Sequence, residues 1–238
     1  MRALLYDVHG NLPALEAVLG DAEAAGASSY VLGGDYVVAG GWARETLERL
    51  RTLEARWIRG NTERWLVDRS DAPPVMIDAI DACAAALGDD AVAQMAGLEE
   101  EIVLGGVHFC HGSPGSDMLS FFPERAGNED DLLAGAREQR LVFGHTHLQF
   151  ERPGPGGIEL VNPGSIGMPY GRPGGHWALL DHGSVSLHCT EVDVDAACAQ
   201  VVADSGYPDA RAWVDEYLRS QNSDADAIAA FGPRDGRR

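Results

Sequence analysis

The sequence predicts an α/β protein, and three observations carry that prediction. Apolar runs at 2–7, 29–32 and 55–58 alternate with amphipathic stretches at 12–25 and 43–53, a strand–helix–strand–helix–strand order. From residue 101 onward strands follow strands across Gly/Pro turns, so the second half reads as antiparallel or mixed sheet. Polar, chemically capable residues stand at the C-terminal ends of the apolar runs, where open α/β sheets carry their sites.

Each element has its own local reason. In 12–25, Leu12, Leu15, Val18 and Leu19 recur at helical spacing behind Asn11 and Pro13. Pro73 and Pro74 punctuate the chain before two helical stretches, 75–87 and 91–96, a helical insertion over about 64–97 beside the expected site. A hairpin follows, 102–104 and 107–110 across Gly105-Gly106. A Gly/Pro/Ser-rich loop over 113–127 precedes a helix at 129–138 and a strand at 141–143. Further strands are expected at 149–151, 158–161, 177–181 and 185–189, with helices at 194–203 and 209–218. The domain plan is thus a core over 1–190, a C-terminal helical appendage over 191–231 and a disordered tail over 232–238.

At 238 residues with 45% hydrophobic and 23% charged content, the chain suits one soluble domain with a modest appendage. The net charge of −19 repels polyanions at long range, so nucleic-acid polymers and anionic membranes are poor partners. No apolar run approaches membrane-spanning length, and no basic segment with a cleavage site opens the chain. Cys83, Cys110, Cys189 and Cys198 form neither a metal-type pair nor a disulfide framework. These features together predict a cytoplasmic protein.

The potential metal ligands, in order, are Asp7, His9, Asp35, Asn61, His111, His145 and His147, each beside a glycine-marked turn. If residues 2–9 stay extended, Asp7 and His9 share one side of the strand and converge on one point. A set of oxygen and imidazole donors without thiolate suits Mn, Fe, Ni, Co or Zn. Seven such residues are too many for one tetrahedral ion and suit two ions sharing a carboxylate.

The motifs Asp7-Val8-His9, Gly34-Asp35, Gly60-Asn61-Thr62-Glu63, His111-Gly112 and Gly144-His145-Thr146-His147 follow one another in a set order. In this the chain resembles the calcineurin-like metallophosphoesterase superfamily, from residue 4 to about 181. Asn162-Pro163-Gly164-Ser165 is similar to the small bacterial and archaeal phosphodiesterase-type members. The resemblance implies two facing mixed β-sheets flanked by helices, an αββα sandwich. It implies that Asp7, His9 and His147 hold one divalent metal, that Asn61, His111 and His145 hold a second, and that Asp35 bridges them. Manganese is the favoured ion. The implied activity is phosphoesterase (phosphodiesterase or phosphatase) hydrolysis, with a hydroxide bridging the metals attacking phosphorus in line. Asp35, Asn61 and His9 would be the catalytic residues, Asn61 also fixing the phosphate.

One position departs from the pattern. Many family members carry histidine after the asparagine, where it protonates the leaving oxygen, and here Thr62 stands there. A threonine hydroxyl is too weak an acid for that role, and His9 could supply a proton only if it were not committed to metal. Small phosphodiesters, nucleotides, pyrophosphate-type compounds or aryl phosphates are therefore expected over alkyl monoesters. Two rival readings share the fold: a non-catalytic interaction scaffold, favoured only by Thr62, and a nuclease, opposed by the acidic surface.

Other residues receive plainer readings. His108 reads as a structural strand residue, and His176, His182 and His188 as surface, with His176 the one nearest the expected site loop. Cys110 reads as a small buried hydrophobe sooner than as a neighbour of the metals, and Phe121-Phe122 either anchor their loop or stack on a base or aryl group. Arg125 and Arg172 are either phosphate clamps or surface charge. Glu63 either orients a neighbouring group or pairs with Arg64.

Overall fold

The computed structural model describes residues 1–204, 210–215 and 222–232. Strand β1 (Arg2–Leu5) lies at the centre of the first sheet, flanked by β2 (Ser29–Leu32) and then β3 (Ala55–Trp57), all parallel. Helices α1 (Leu12–Ala24) and α2 (Ala43–Arg51) make the crossovers between them. On the other side of β1 the chain returns late, with β9 (Gly175–Asp181) antiparallel to it and β10 (Ser184–Thr190) antiparallel to β9.

The second sheet runs in the order β4 (Glu101–Leu104), β5 (Val107–Cys110), β6 (Arg140–Val142), β8 (Glu159–Pro163), β7 (Gln149–Pro153). Its three central strands are parallel and its two edges antiparallel. Both sheets are thus five-stranded and mixed, as expected.

Alternation along the strands builds the layers. Leu4, Tyr6 and Val31 from the first sheet meet Phe109, Val142 and Val161 from the second in one buried cluster between the sheets. The intervening residues turn the other way. Ala3, Leu5 and Leu32 pack under α1 and α2 with Leu15, Val18 and Leu47. Cys110, Leu141 and Leu160 pack outward from the second sheet with Phe121 and Phe122, both fully buried, so the anchoring roles read for these residues hold. The result is a helix–sheet–sheet–helix sandwich.

Several local expectations change. The helix expected over 129–138 is only one turn, α6 (Glu129–Leu132). Gly135 costs about 1 kcal/mol relative to alanine in a helix interior, and the backbone N–H of Arg137 is drawn instead to His108 Nδ1. The helix expected from Val75 starts with a 3-10 turn (Pro74–Met76), in which Met76 N donates to Pro73 O at 2.8 Å, before α4 (Ile77–Leu87). It is followed by α5 (Asp89–Ala96), with α3 (Asn61–Trp65) lying before the insertion. His176 is not a surface residue, whereas His188 is half-buried on the edge strand and His182 is exposed. His176 is buried and donates to Arg172 O at 2.8 Å, and His188 stacks on Trp177 at 4.4 Å between ring centroids.

C-terminal to the sandwich come α7 (Val194–Asp204), α8 (Ala210–Trp213) and α9 (Asp224–Phe231). Of the helix expected over 209–218, residues 209 and 216–218 lie outside the described residues, as does the expected tail beyond Gly232. Among the described residues no helix is long and apolar enough to cross a membrane.

Candidate metal centre

All seven expected ligands meet at one buried place, at the C-terminal ends of the parallel strands of both sheets. The way Asp7 and His9 arrive differs from expectation. β1 stops at Leu5, and Asp7 and His9 both take left-handed backbone, with φ of 53° and 48°. The chain can leave β1 there because Asp7 N donates to Gly34 O and His9 N to Asp35 O, tying the loop after β1 to the loop after β2. Asp35, His145 and His147 are left-handed too, with φ of 55°, 68° and 58°. Strain of about 1–3 kcal/mol per residue persists only where the surroundings over-determine it, and it gathers at functional sites.

Two triads face each other. In the first, His9 Nε2 and His147 Nε2 are 3.1 Å apart, and His147 Nε2 lies 3.5 Å from Asp7 Oδ1. In the second, Asn61 Oδ1 is 3.0 Å from His111 Nε2 and 2.9 Å from His145 Nδ1. Asp35 lies between, with Oδ2 3.7 Å from His9 Nε2 and Oδ1 3.5 Å from His111 Nε2. Neighbouring donors around an ion with bonds of about 2.0–2.2 Å are separated by about 3–3.5 Å, which is the spacing within each triad.

The imidazoles are locked for this task. His9 Nδ1 donates to Val38 O, His111 Nδ1 to Gly33 O and His147 Nδ1 to Met168 O, at 2.8–2.9 Å. A carbonyl only accepts, so each Nδ1 carries the proton and each Nε2 offers its lone pair to the centre. Asp7 Oδ1 is buried and accepts no hydrogen bond, although its partner oxygen accepts from His145 N. An acceptor buried without a donor is costly, and a cation among these donors would satisfy it. Asp7–His9–His147 and Asp7–Asp35–His111 each bring their donor atoms within 4.8 Å of one another. The residues present therefore fit divalent metal.

The electrostatics follow from burial and charge. Burial alone would raise Asp7, but the His147 imidazole, with His111 and His9, holds its carboxyl down to about 2. Burial opposes protonation of His111, yet Asp35 and Asp7 push it up to about 9, and Asp7 likewise raises His147. His9 goes down, through burial and then the charge of His147.

A second tier of residues holds the ligands in place. Glu63 is fully buried and accepts from Asp35 N, Tyr36 N and Gly60 N at 2.8–2.9 Å. Burial, then Asp35, pushes its pKa up to about 7. It forms no pair with Arg64, which instead clasps Asp71 and Asp117. Thr62 donates from Oγ1 to Asp35 Oδ1 at 2.9 Å, and its N–H reaches the same oxygen at 3.0 Å. Asn162 bonds Gly144 O and Thr146 Oγ1, and Ser165 Oγ bonds Asp7 O at 2.7 Å. The approach is close enough that a Cβ at Gly60 would run into Asp35 Oδ1, and one at Gly144 would come within 2.5 Å of Asp7 Oδ2.

Above the centre is a cleft of about 280 Å3. Its walls include Trp65, Val75, Met76, Tyr170 and Phe231, of which sequence reasoning singled out none. Phe231 carried no signal, since it ends a short helix far along the chain. Arg125 stays out on the surface beside Asp130, and His108 is held by Glu101 on the hairpin, away from the centre.

The chain superposes on a metallophosphoesterase from Sphaerobacter thermophilus with a TM-score of 0.74 and 24% identity, covering 90% of this chain and 96% of that one. A hypothetical protein from Pyrococcus horikoshii OT3 gives 0.76 and 19%, covering 93% and 100%. A putative diadenosine tetraphosphatase gives 0.54 and 17%, covering 80% and 93%. At these identities the likeness carries the fold. No curated protein matches at the sequence level. The model of the calcineurin-like phosphoesterase superfamily domain, however, matches residues 1–184, which hold every expected ligand. The chain belongs to the calcineurin-like phosphoesterase superfamily.

Proposed function

We propose that the protein hydrolyses small phosphoesters, phosphodiesters or nucleotides, at a dinuclear centre. Asp7, His9 and His147 would hold one ion, Asn61, His111 and His145 the other, and Asp35 would bridge. The observation that carries this reading is the convergence of both triads on Asp35, with His9 and His147 turned nitrogen to nitrogen at 3.1 Å. When bound, two divalent ions supply Lewis acidity toward a phosphoryl group and a water acidic enough to attack it at neutral pH. Mixed oxygen and imidazole donors suit manganese among the candidates.

The protein's own residues set the rest of the chemistry. Asn61 projects its amide from the first turn of α3, the side of the helix that favours an anion, and would help fix a phosphoryl oxygen. Thr62 is committed to Asp35, and His9 has one nitrogen on Val38 O and the other in the centre. Neither is placed to protonate a leaving oxygen. A missing general acid often costs about 10²–10⁴-fold for a poor leaving group, so phenolates and phosphates are the favoured leaving groups. Four free cysteines, three of them buried, suit a reducing cytoplasm.

The test is hydrolysis of bis-p-nitrophenyl phosphate, p-nitrophenyl phosphate and a dinucleoside polyphosphate by metal-stripped protein, with and without added Mn. Asn61→Ala and His111→Ala serve as controls. Metal-dependent turnover lost in both variants supports the reading. Two bound metals with no turnover of any substrate would bring the scaffold reading forward.

A further inference from the structure

The cleft above the metal ligands takes part of its wall from outside the family-matched segment. Helix α9 is firmly seated. Ser223 caps it through a reciprocal bond with Asp226, Asn222 O accepts from Gly171 N at 2.8 Å, and Ala227 is buried with Ile228 against the outer cluster of the second sheet. That seating carries Phe231 to the centre, its ring 5.2 Å from the His145 ring and 5.9 Å from that of His147. Tyr170 stands 6.2 Å from both His147 and Phe231, edge-on to Phe231 at 86°.

The floor and the walls of this cleft differ in kind. The floor is the ligand set, with its carboxylates and imidazoles. Trp65, Pro73, Val75 and Met76 continue the apolar wall that Phe231 and Tyr170 begin. Among the described residues lining the cleft there is neither lysine nor arginine. A phosphoryl group at the floor would find its counter-charge in the metals. A flat ring fits what the walls offer, since aromatic side chains attract rings in edge-on or offset stacking. A volume of about 280 Å3 sits at the small end of ligand pockets and has room for a ring-bearing substituent.

We propose that Phe231 and Tyr170 form an aromatic subsite that selects phosphoesters bearing a planar ring. This deepens the hydrolase reading and rests on it for the placement of phosphorus at the metals. The test separates the two. Phenylphosphonate and methylphosphonate are titrated into the Mn-loaded protein by calorimetry. In parallel, kcat/KM is measured for p-nitrophenyl phenylphosphonate and p-nitrophenyl methylphosphonate, which release the same leaving group. Phe231→Leu and Tyr170→Leu keep bulk but remove the ring, and Phe231→Trp restores one.

Wild type is expected to favour the phenyl compound in both measurements by about 3- to 10-fold, the range of one aromatic contact. Each leucine variant should lose most of that ratio, and Phe231→Trp should keep it. Equal or absent binding of the two phosphonates by wild type overturns the subsite, as does a ratio that both leucine variants leave unmoved. If the phenyl preference in binding holds while neither ester is turned over, the subsite stands and the hydrolase reading falls.

Discussion

His9 Nε2 and His147 Nε2 point at each other across 3.1 Å while their Nδ1 atoms donate to Val38 O and Met168 O. Two neutral imidazoles so arranged repel through their lone pairs, and only a shared proton or a shared cation reconciles them. Added Mn should therefore stabilise the folded protein. At a concentration 100 times Kd the gain is about 2.7 kcal/mol, or roughly 5–10 °C in Tm for a chain of this size. Thermal unfolding with and without chelator checks this, and His147→Ala should lower the bound metal from two ions per chain to one.

Thr62 occupies the position of the missing general acid, yet its hydroxyl is occupied with Asp35 Oδ1 at 2.9 Å. That bond aims the carboxylate proposed to bridge the metals. Thr62→Val keeps the shape and removes that bond, and loss of such an orienting partner typically weakens metal affinity about 10- to 100-fold. Metal titration of the variant should show the loss, and Thr62→Ser should recover most of it.

Glu63 gathers three backbone N–H groups from two loops at a fully buried point. In Glu63→Ala those donors lose their acceptor together. At about 1–3 kcal/mol for each unsatisfied group, the variant should be destabilised by about 3 kcal/mol or more even without metal. Urea unfolding of the chelator-treated protein measures it.

His108 is buried on β5, where Nε2 donates to Glu101 at 2.8 Å and Nδ1 accepts from Arg137 N at 3.3 Å. Burial holds its pKa below the ordinary 6.5 despite Glu101, and Arg137 adds to the depression. Below pH 6.5 the unfolded chain then binds a proton that the folded chain refuses, so stability falls as pH drops toward the folded pKa. One such group contributes at most about 1.4 kcal/mol per pH unit. Relative to His108→Gln, chelator-treated wild type should lose stability between pH 7 and 5.5, a difference that isolates this histidine from Glu63, His111 and His147, whose raised pKa values act the other way.

The sheets and the ligand set were legible because both rest on local pattern. Alternating Ala3, Leu4 and Leu5 sort themselves to opposite faces of β1 whatever lies beyond, and each ligand follows such a run. What could not be read depends on partners distant in sequence. Asp7 and His9 look like a strand end until Gly34 and Asp35 pull the backbone into its left-handed turn. His176 looks like surface until Gly164 is seen packed on its ring. Phe231 has no pattern at all, because its meaning comes from α9 docking on the second sheet.

The left-handed turns at Asp7, His9, Asp35, His145 and His147 bear on how this site would decay. Such backbone is tolerated by aspartate, asparagine, histidine and glycine and resisted by branched or bulky residues. On the dinuclear reading those five positions are selected twice, once by metal chemistry and once by conformation. A descendant that had lost its metals would keep ligand-like residues there for the sake of the chain alone. Asn61 and His111 carry no such constraint, being absent from the left-handed set. Drift would therefore reach them first, and in related sequences those two positions are the better witnesses to a working centre.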